Sequence, residues 1–128
     1  MRRKFYNDLM TWKENNIDKP LMVIGARQIG KTYIIKKFCE ENFQDFVEIN
    51  LDSSEAIRKI FEETIEPEEI IKRIEIRLDR KISIENTIIF FDEVQVSERA
   101  ITSLKYFCES KKPYKIICAG SLLRSEIK

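Results

Sequence analysis

Histidine is absent from this 128-residue chain. Its absence excludes Ser-His-Asp and Cys-His nucleophilic catalysis, histidine general bases and the common zinc sites. Cysteine is scarce and odd in number. Cys39, Cys108 and Cys118 show no C-x-x-C spacing, which argues against a disulfide framework or zinc site and for reduced core residues in apolar surroundings. With three glycines and three prolines, the chain has no low-complexity or Gly/Ser linker, so no domain boundary is expected inside it. Neither sign of charge dominates: 23 Lys and Arg stand against 22 Asp and Glu, a formal net charge of +1. There is no overall pull toward nucleic acid or an anionic membrane, and any anion site must be local. No apolar run approaches the roughly 20 residues of a membrane span, and the basic N-terminus lacks the apolar segment of a signal peptide. A soluble, cytoplasmic, single domain is expected over residues 1–128, with chemistry resting on carboxylates, Lys, Arg, hydroxyls, backbone N–H groups and Mg²⁺.

Strands and helices alternate along the chain. Phe5, Leu9 and Trp12 repeat at helical spacing and predict a helix over roughly 3–14. Leu21-Met22-Val23-Ile24 reads as a buried strand stopped by Gly25, and Ile34, Ile35, Phe38 and Cys39 form one stripe of the helix that follows. Residues 46–51 alternate as a second strand. Asp52 with Glu55 resembles a capping box for a helix bearing Ile57, Ile60 and Phe61. Pro67 suits the first position of a further helix, with Glu68 and Glu69 at its positive end. Residues 87–91 are the third and most apolar strand, Ser97 caps the next helix, and residues 114–119 are the fourth strand. Such alternation predicts an α/β fold: a doubly wound parallel sheet with helices on both faces.

Gly25-Ala26-Arg27-Gln28-Ile29-Gly30-Lys31-Thr32 matches G-x-x-x-x-G-K-[S/T], between an apolar strand and an amphipathic helix as a phosphate loop requires. The glycines let the backbone turn tightly and direct N–H groups at the phosphates, at the positive end of the next helix. Lys31 would meet the β- and γ-phosphates and the Thr32 hydroxyl would ligate Mg²⁺. The expected nucleotide-contacting run is Gly25 to Tyr33. Arg27 has two open readings, a phosphate or subunit contact and a solvated loop arginine.

Asp92 and Glu93 close the third strand in the form of a Walker B element. Ligands of open α/β sheets lie beyond the carboxyl ends of the strands, so this pair can face the loop at Lys31. Asp92 is expected to hold Mg²⁺ and Glu93 to orient or deprotonate the attacking water. Ser121, after the fourth strand, fits either a γ-phosphate sensor or a turn hydroxyl. Gln95 and Arg99 read as ordinary loop and helix-start residues.

With Phe90-Phe91-Asp92-Glu93-Val94-Gln95 and Ala119-Gly120-Ser121-Leu122-Leu123 following the loop, the chain resembles a family of prokaryotic AAA-like ATPases. In that family an ATPase domain precedes a C-terminal domain of unknown function. The resemblance implies a P-loop NTPase core with strand order 5-1-4-3-2, ATP or ADP with Mg²⁺ as cofactors, and Ser121 at the sensor position. Family members continue into a fifth strand, so a core truncated after the fourth strand is expected, with strand one as an apolar edge open to self-association. Adenine is favoured over guanine by the family and by the absence of an N-K-x-D motif. Three functions compete: an ATPase, discriminated by Glu93; a nucleotide-dependent switch with negligible turnover; and a small-molecule kinase, weakened by the Asp-Glu pair.

Overall fold

A computed structural model describes residues 2–25 and 29–121. Helix α1 (Arg2–Asn15) leads into strand β1 (Leu21–Gly25) and helix α2 (Ile29–Asn42), followed by β2 (Asp45–Asn50). Helices α3 (Glu55–Glu63) and α4 (Pro67–Leu78) separate β2 from β3 (Thr87–Asp92). A one-turn 3-10 helix (Val94–Val96) and α5 (Glu98–Glu109) then precede β4 (Lys115–Ser121).

The four strands form one parallel sheet in the order β1-β4-β3-β2. This is the order the family resemblance implies for these strands. Because side chains alternate along a strand, β3 feeds two cores. Ile88 and Phe90 pack with Leu9, Trp12, Ile35 and Phe38 on the α1–α2 face. Ile89 and Phe91 pack with Ile57, Phe61, Ile70 and Ile74 on the α3–α4–α5 face. All six β3 residues are buried, and each large apolar side chain among them contributes about 1.5–3 kcal/mol relative to exposure. Burial on both faces explains why β3 is a continuous apolar run rather than an alternating one.

The cover is uneven. Leu21 and Val23 of β1 pack on the α1–α2 side, while Met22 and Ile24 on the opposite side remain exposed. Among the described residues β1 pairs with β4 alone.

Local chemistry sets the helix ends. Ser54, not Asp52, is the N-cap of α3, its hydroxyl accepting from the Ile57 N–H. The Asn50 side chain has already engaged the N–H groups of Asp52 and Ser53, so the capping box read from Asp52 is displaced by a turn that closes β2. Pro67 opens α4, and Ser97 caps α5 by accepting from Ala100 N–H. The fourth strand extends two residues further than its apolar run, through Gly120 to Ser121. Cys108 is half-buried rather than a core residue, whereas Cys39 and Cys118 are buried. Among the described residues no helix is long and apolar enough to cross a membrane.

Candidate functional site

Parallel strands send all their carboxyl ends to one edge of the sheet. Gly25 of β1 is in register with Ser121 of β4, and Asn50 of β2 with Asp92 of β3. The loop leaving β1, the acid pair leaving β3 and the end of β4 therefore share the edge where α/β folds bind ligands.

On the β1 side, α2 begins at Ile29 and carries Gly30, Lys31 and Thr32 in its first turn, with no acidic residue there to offset its positive end. The Lys31 amine turns back toward the strand: a Cβ built on Gly25 would lie 3.5 Å from Lys31 Nζ. The same amine stands 5.8 Å from the centre of the Phe5 ring. Thr32 is half-buried in the turn and Tyr33 projects outward at 57% exposure. None of the described glycines has a positive φ, so the left-handed turn that glycine permits is not what Gly25 or Gly30 provides here. Ala26, Arg27 and Gln28 lie outside the described residues.

On the β3 side, Asp92 is 7% exposed. Burial raises its carboxyl above the ordinary aspartate range; the charges of Glu93 and Glu48 push it further up. The Glu93 N–H donates to Asp92 Oδ1 at 2.8 Å and, with the positive charge of Lys36, opposes the rise. Lys36 is itself paired with Glu48 at 3.3 Å, linking α2 to β2. A buried carboxylate that resists ionisation is well suited to a divalent cation, which supplies the missing positive charge. Among the described residues no three His, Cys, Asp or Glu cluster as a self-sufficient metal cage. One carboxylate and a hydroxyl, Asp92 and Thr32, instead match Mg²⁺, a hard cation that keeps waters and shares phosphate oxygens. These residues fit the ion.

Glu93 has left-handed backbone, φ 55° and ψ 43°. A non-glycine residue there costs of order 1–3 kcal/mol and persists where its surroundings impose it. The 3-10 turn that follows places Gln95 underneath, buried at 7% exposure. Gln95 Nε2 donates to Glu93 Oε1 at 2.6 Å, and its Oε1 accepts from the Ser121 backbone N–H at 3.1 Å. Thus it is the backbone of Ser121 that is tied to the acid pair. Reading Gln95 as an ordinary loop residue missed this bridge, which has room because position 120 is glycine: a Cβ there would come within 2.6 Å of Gln95 Oε1. Arg99 keeps a structural role, donating from Nε to the Phe61 carbonyl at 3.0 Å.

A phosphate-loop lysine at a helix start and a strand-end acid pair, on one edge of a parallel sheet, define a P-loop nucleotide-binding domain. A family model described as an AAA domain matches residues 17–128. The chain belongs to this AAA domain family, and it is an AAA-like P-loop ATPase core. Among solved structures, that of C. elegans PCH-2 is similar with a TM-score of 0.47 and 16% identity, over 97% of this chain and 36% of that one. The chain therefore spans about a third of the length of that protein. No curated protein matches.

Proposed function

We propose that this domain binds Mg-ATP at the Gly25–Thr32 loop and hydrolyses it, with Glu93 acting on the attacking water. The observation that carries the reading is the acid pair itself. Asp92 is buried at the end of β3 with its carboxyl pushed above the usual range, and the next residue, Glu93, is held in left-handed backbone at the same edge. Two adjacent acids with different surroundings suit two roles.

Each residue then has a distinct task. Lys31, at the positive end of α2, neutralises the β- and γ-phosphates. Asp92 and the Thr32 hydroxyl hold magnesium, which when bound neutralises charge developing on the phosphate oxygens. Glu93 orients the water and accepts its proton as the γ-phosphoryl leaves. Ser121, whose backbone N–H donates to Gln95, contacts the γ-phosphate or the water through its hydroxyl in this reading. Adenine is the proposed base.

Titration calorimetry with Mg-ATP, competition by GTP, and steady-state phosphate release test the reading together. Saturable binding that GTP displaces less well than ATP, with measurable phosphate release, is expected. Binding without release would leave a nucleotide-dependent switch as the function, and no binding would end the proposal. Self-association through the edge of β1, which among the described residues pairs with β4 alone, belongs to the same proposal. Light scattering that shows a strict monomer at all concentrations would remove it.

A further inference from the structure

The amide of Gln95 spans from the acid pair to the end of β4, and its two ends are chemically distinct. A carboxylate offers only acceptors and a backbone N–H only a donor, so the pairings to Glu93 Oε1 and Ser121 N–H set the amide in one orientation. The space for it is made by an absent side chain. A Cβ at Gly120 would lie 2.6 Å from Gln95 Oε1 and 3.2 Å from Val94 Cγ1, distances that force the amide or the turn to move. Gln95 is also held from behind, because the 3-10 turn closes through Val96 N–H to Glu93 O at 3.3 Å and Ser97 N–H to Val94 O at 3.2 Å. Position, burial and polarity all direct the amide at Glu93.

We propose that Gln95 is a positioning residue that couples the Glu93 carboxylate to the carboxyl end of β4. The inference rests on the reading of Glu93 as the group that acts on water. A hydrogen bond to an ionised acceptor is short and directional, so the bond to Oε1 fixes the carboxylate plane. Because the same amide accepts from Ser121, a displacement of the β4 end moves the donor and hence the carboxylate. Glu93 thereby responds to the strand that flanks the phosphate loop, where Ser121 is in register with Gly25.

Three substitutions separate the parts of this device. Gln95→Glu keeps an acceptor for Ser121 but loses the donor and faces Glu93 with a like charge. Gln95→Met fills a similar volume with neither group. Gly120→Ala leaves the amide intact and pushes it out of place. Each is expected to lower kcat for phosphate release by about tenfold or more while the calorimetric Kd for Mg-ATP stays within about twofold of wild type. Loss of packing alone would move affinity and melting temperature, not this ratio. A second measurement is independent of turnover. In ¹H–¹⁵N spectra, Glu93→Ala should shift the Ser121 amide resonance in the wild-type background and leave it nearly still in the Gln95→Met background. Equal shifts in both backgrounds, or undiminished kcat in folded Gln95→Glu and Gln95→Met, would overturn the coupling. Absence of turnover in the wild type would instead sink Glu93 as the acting group, and the spectra would still decide whether Gln95 joins the two sites.

Discussion

The Lys31 ammonium lies 5.8 Å from the centre of the Phe5 ring, which brings helix α1 against the first turn of α2 beside the proposed phosphate site. The contact is a weak cation–π attraction, about 0.5–1 kcal/mol at an exposed site, and a triphosphate offers the amine far stronger partners. Lys31→Ala should therefore weaken Mg-ATP binding by about tenfold or more, roughly 1.4 kcal/mol. Phe5→Leu, which keeps apolar contact with the α1–α2 core, serves as the control and should cost less than that. Calorimetry on both variants checks it, and a Lys31→Ala affinity within about twofold of wild type would rule out this use of the loop.

Glu93 is expected to matter for hydrolysis and little for binding. Its carboxylate receives the Gln95 amide, while the proposed metal-holding role falls to the buried Asp92. Glu93→Gln needs no backbone change at φ 55° and removes the carboxylate's charge together with its ability to accept a proton, while keeping an acceptor oxygen for Gln95. Turnover should fall about 10²-fold or more, within the range of a general base, with ATP still retained. Single-turnover phosphate release with bound-nucleotide analysis reads both quantities, and unchanged turnover would move the catalytic role to another group.

Asp92 has a cost that its proposed metal-holding role would explain. Burial, reinforced by the charges of Glu93 and Glu48 and opposed by Lys36 and the Glu93 N–H, raises its carboxyl above the ordinary range. The folded chain then holds that proton more tightly than the unfolded chain. Stability falls as pH rises from the usual aspartate range through the raised value, and the loss is complete above it. Asp92→Asn keeps an Oδ1 acceptor for the Glu93 N–H and cannot ionise. With magnesium chelated, it should melt above wild type at neutral pH, and the difference should shrink as pH falls toward the ordinary aspartate range. Mg-ATP should reverse the order, because the wild type, with its magnesium-holding carboxylate, gains more ligand stabilisation than the variant. A lower melting temperature for Asp92→Asn at neutral pH in chelator would show that the carboxylate is well compensated where it sits.

The legible parts of this protein were those governed by short-range rules. The apolar run at 87–91 became the central-sheet strand β3, and Pro67 and Ser97 start α4 and α5 as their chemistry requires. Strand order was a different matter, since it came from the family resemblance and not from periodicity. The α3 cap was misread because Asn50, Asp52, Ser53 and Ser54 are four competing polar residues in a row apart from Leu51, and only the fold decides which side chain reaches which N–H. Gln95 was illegible for a related reason. Its acceptor bond reaches Ser121, 26 residues later, and no local pattern encodes a contact at that separation.

Cysteine reactivity provides a test of the two cores. Cys39 sits at 0% exposure in the α1–α2 core, and burial, with smaller contributions from Glu40 and Glu48, pushes its thiol up to about 12. Cys118 lies in β4 within the opposite core, and burial raises it as well. Only the thiolate attacks an alkylating reagent. At pH 8 the Cys39 thiolate is about one part in 10⁴, against roughly a quarter for an unperturbed cysteine. Neither buried thiol can react without first opening its core, so both should be modified at the rate of local or global unfolding. Cys108 is half-buried near the end of α5, within reach of a small reagent. Iodoacetamide at pH 8 followed by intact-mass and peptide analysis should therefore find one adduct, at Cys108, in the folded protein and three in denaturant, one for each cysteine. Mg-ATP should slow the residual labelling of Cys118 more than that of Cys108, because β4 ends at the proposed nucleotide edge and must separate from its neighbours to expose the thiol. Rapid labelling of Cys39 or Cys118 in the folded protein would mean that the sheet is not sandwiched between two helical layers as described.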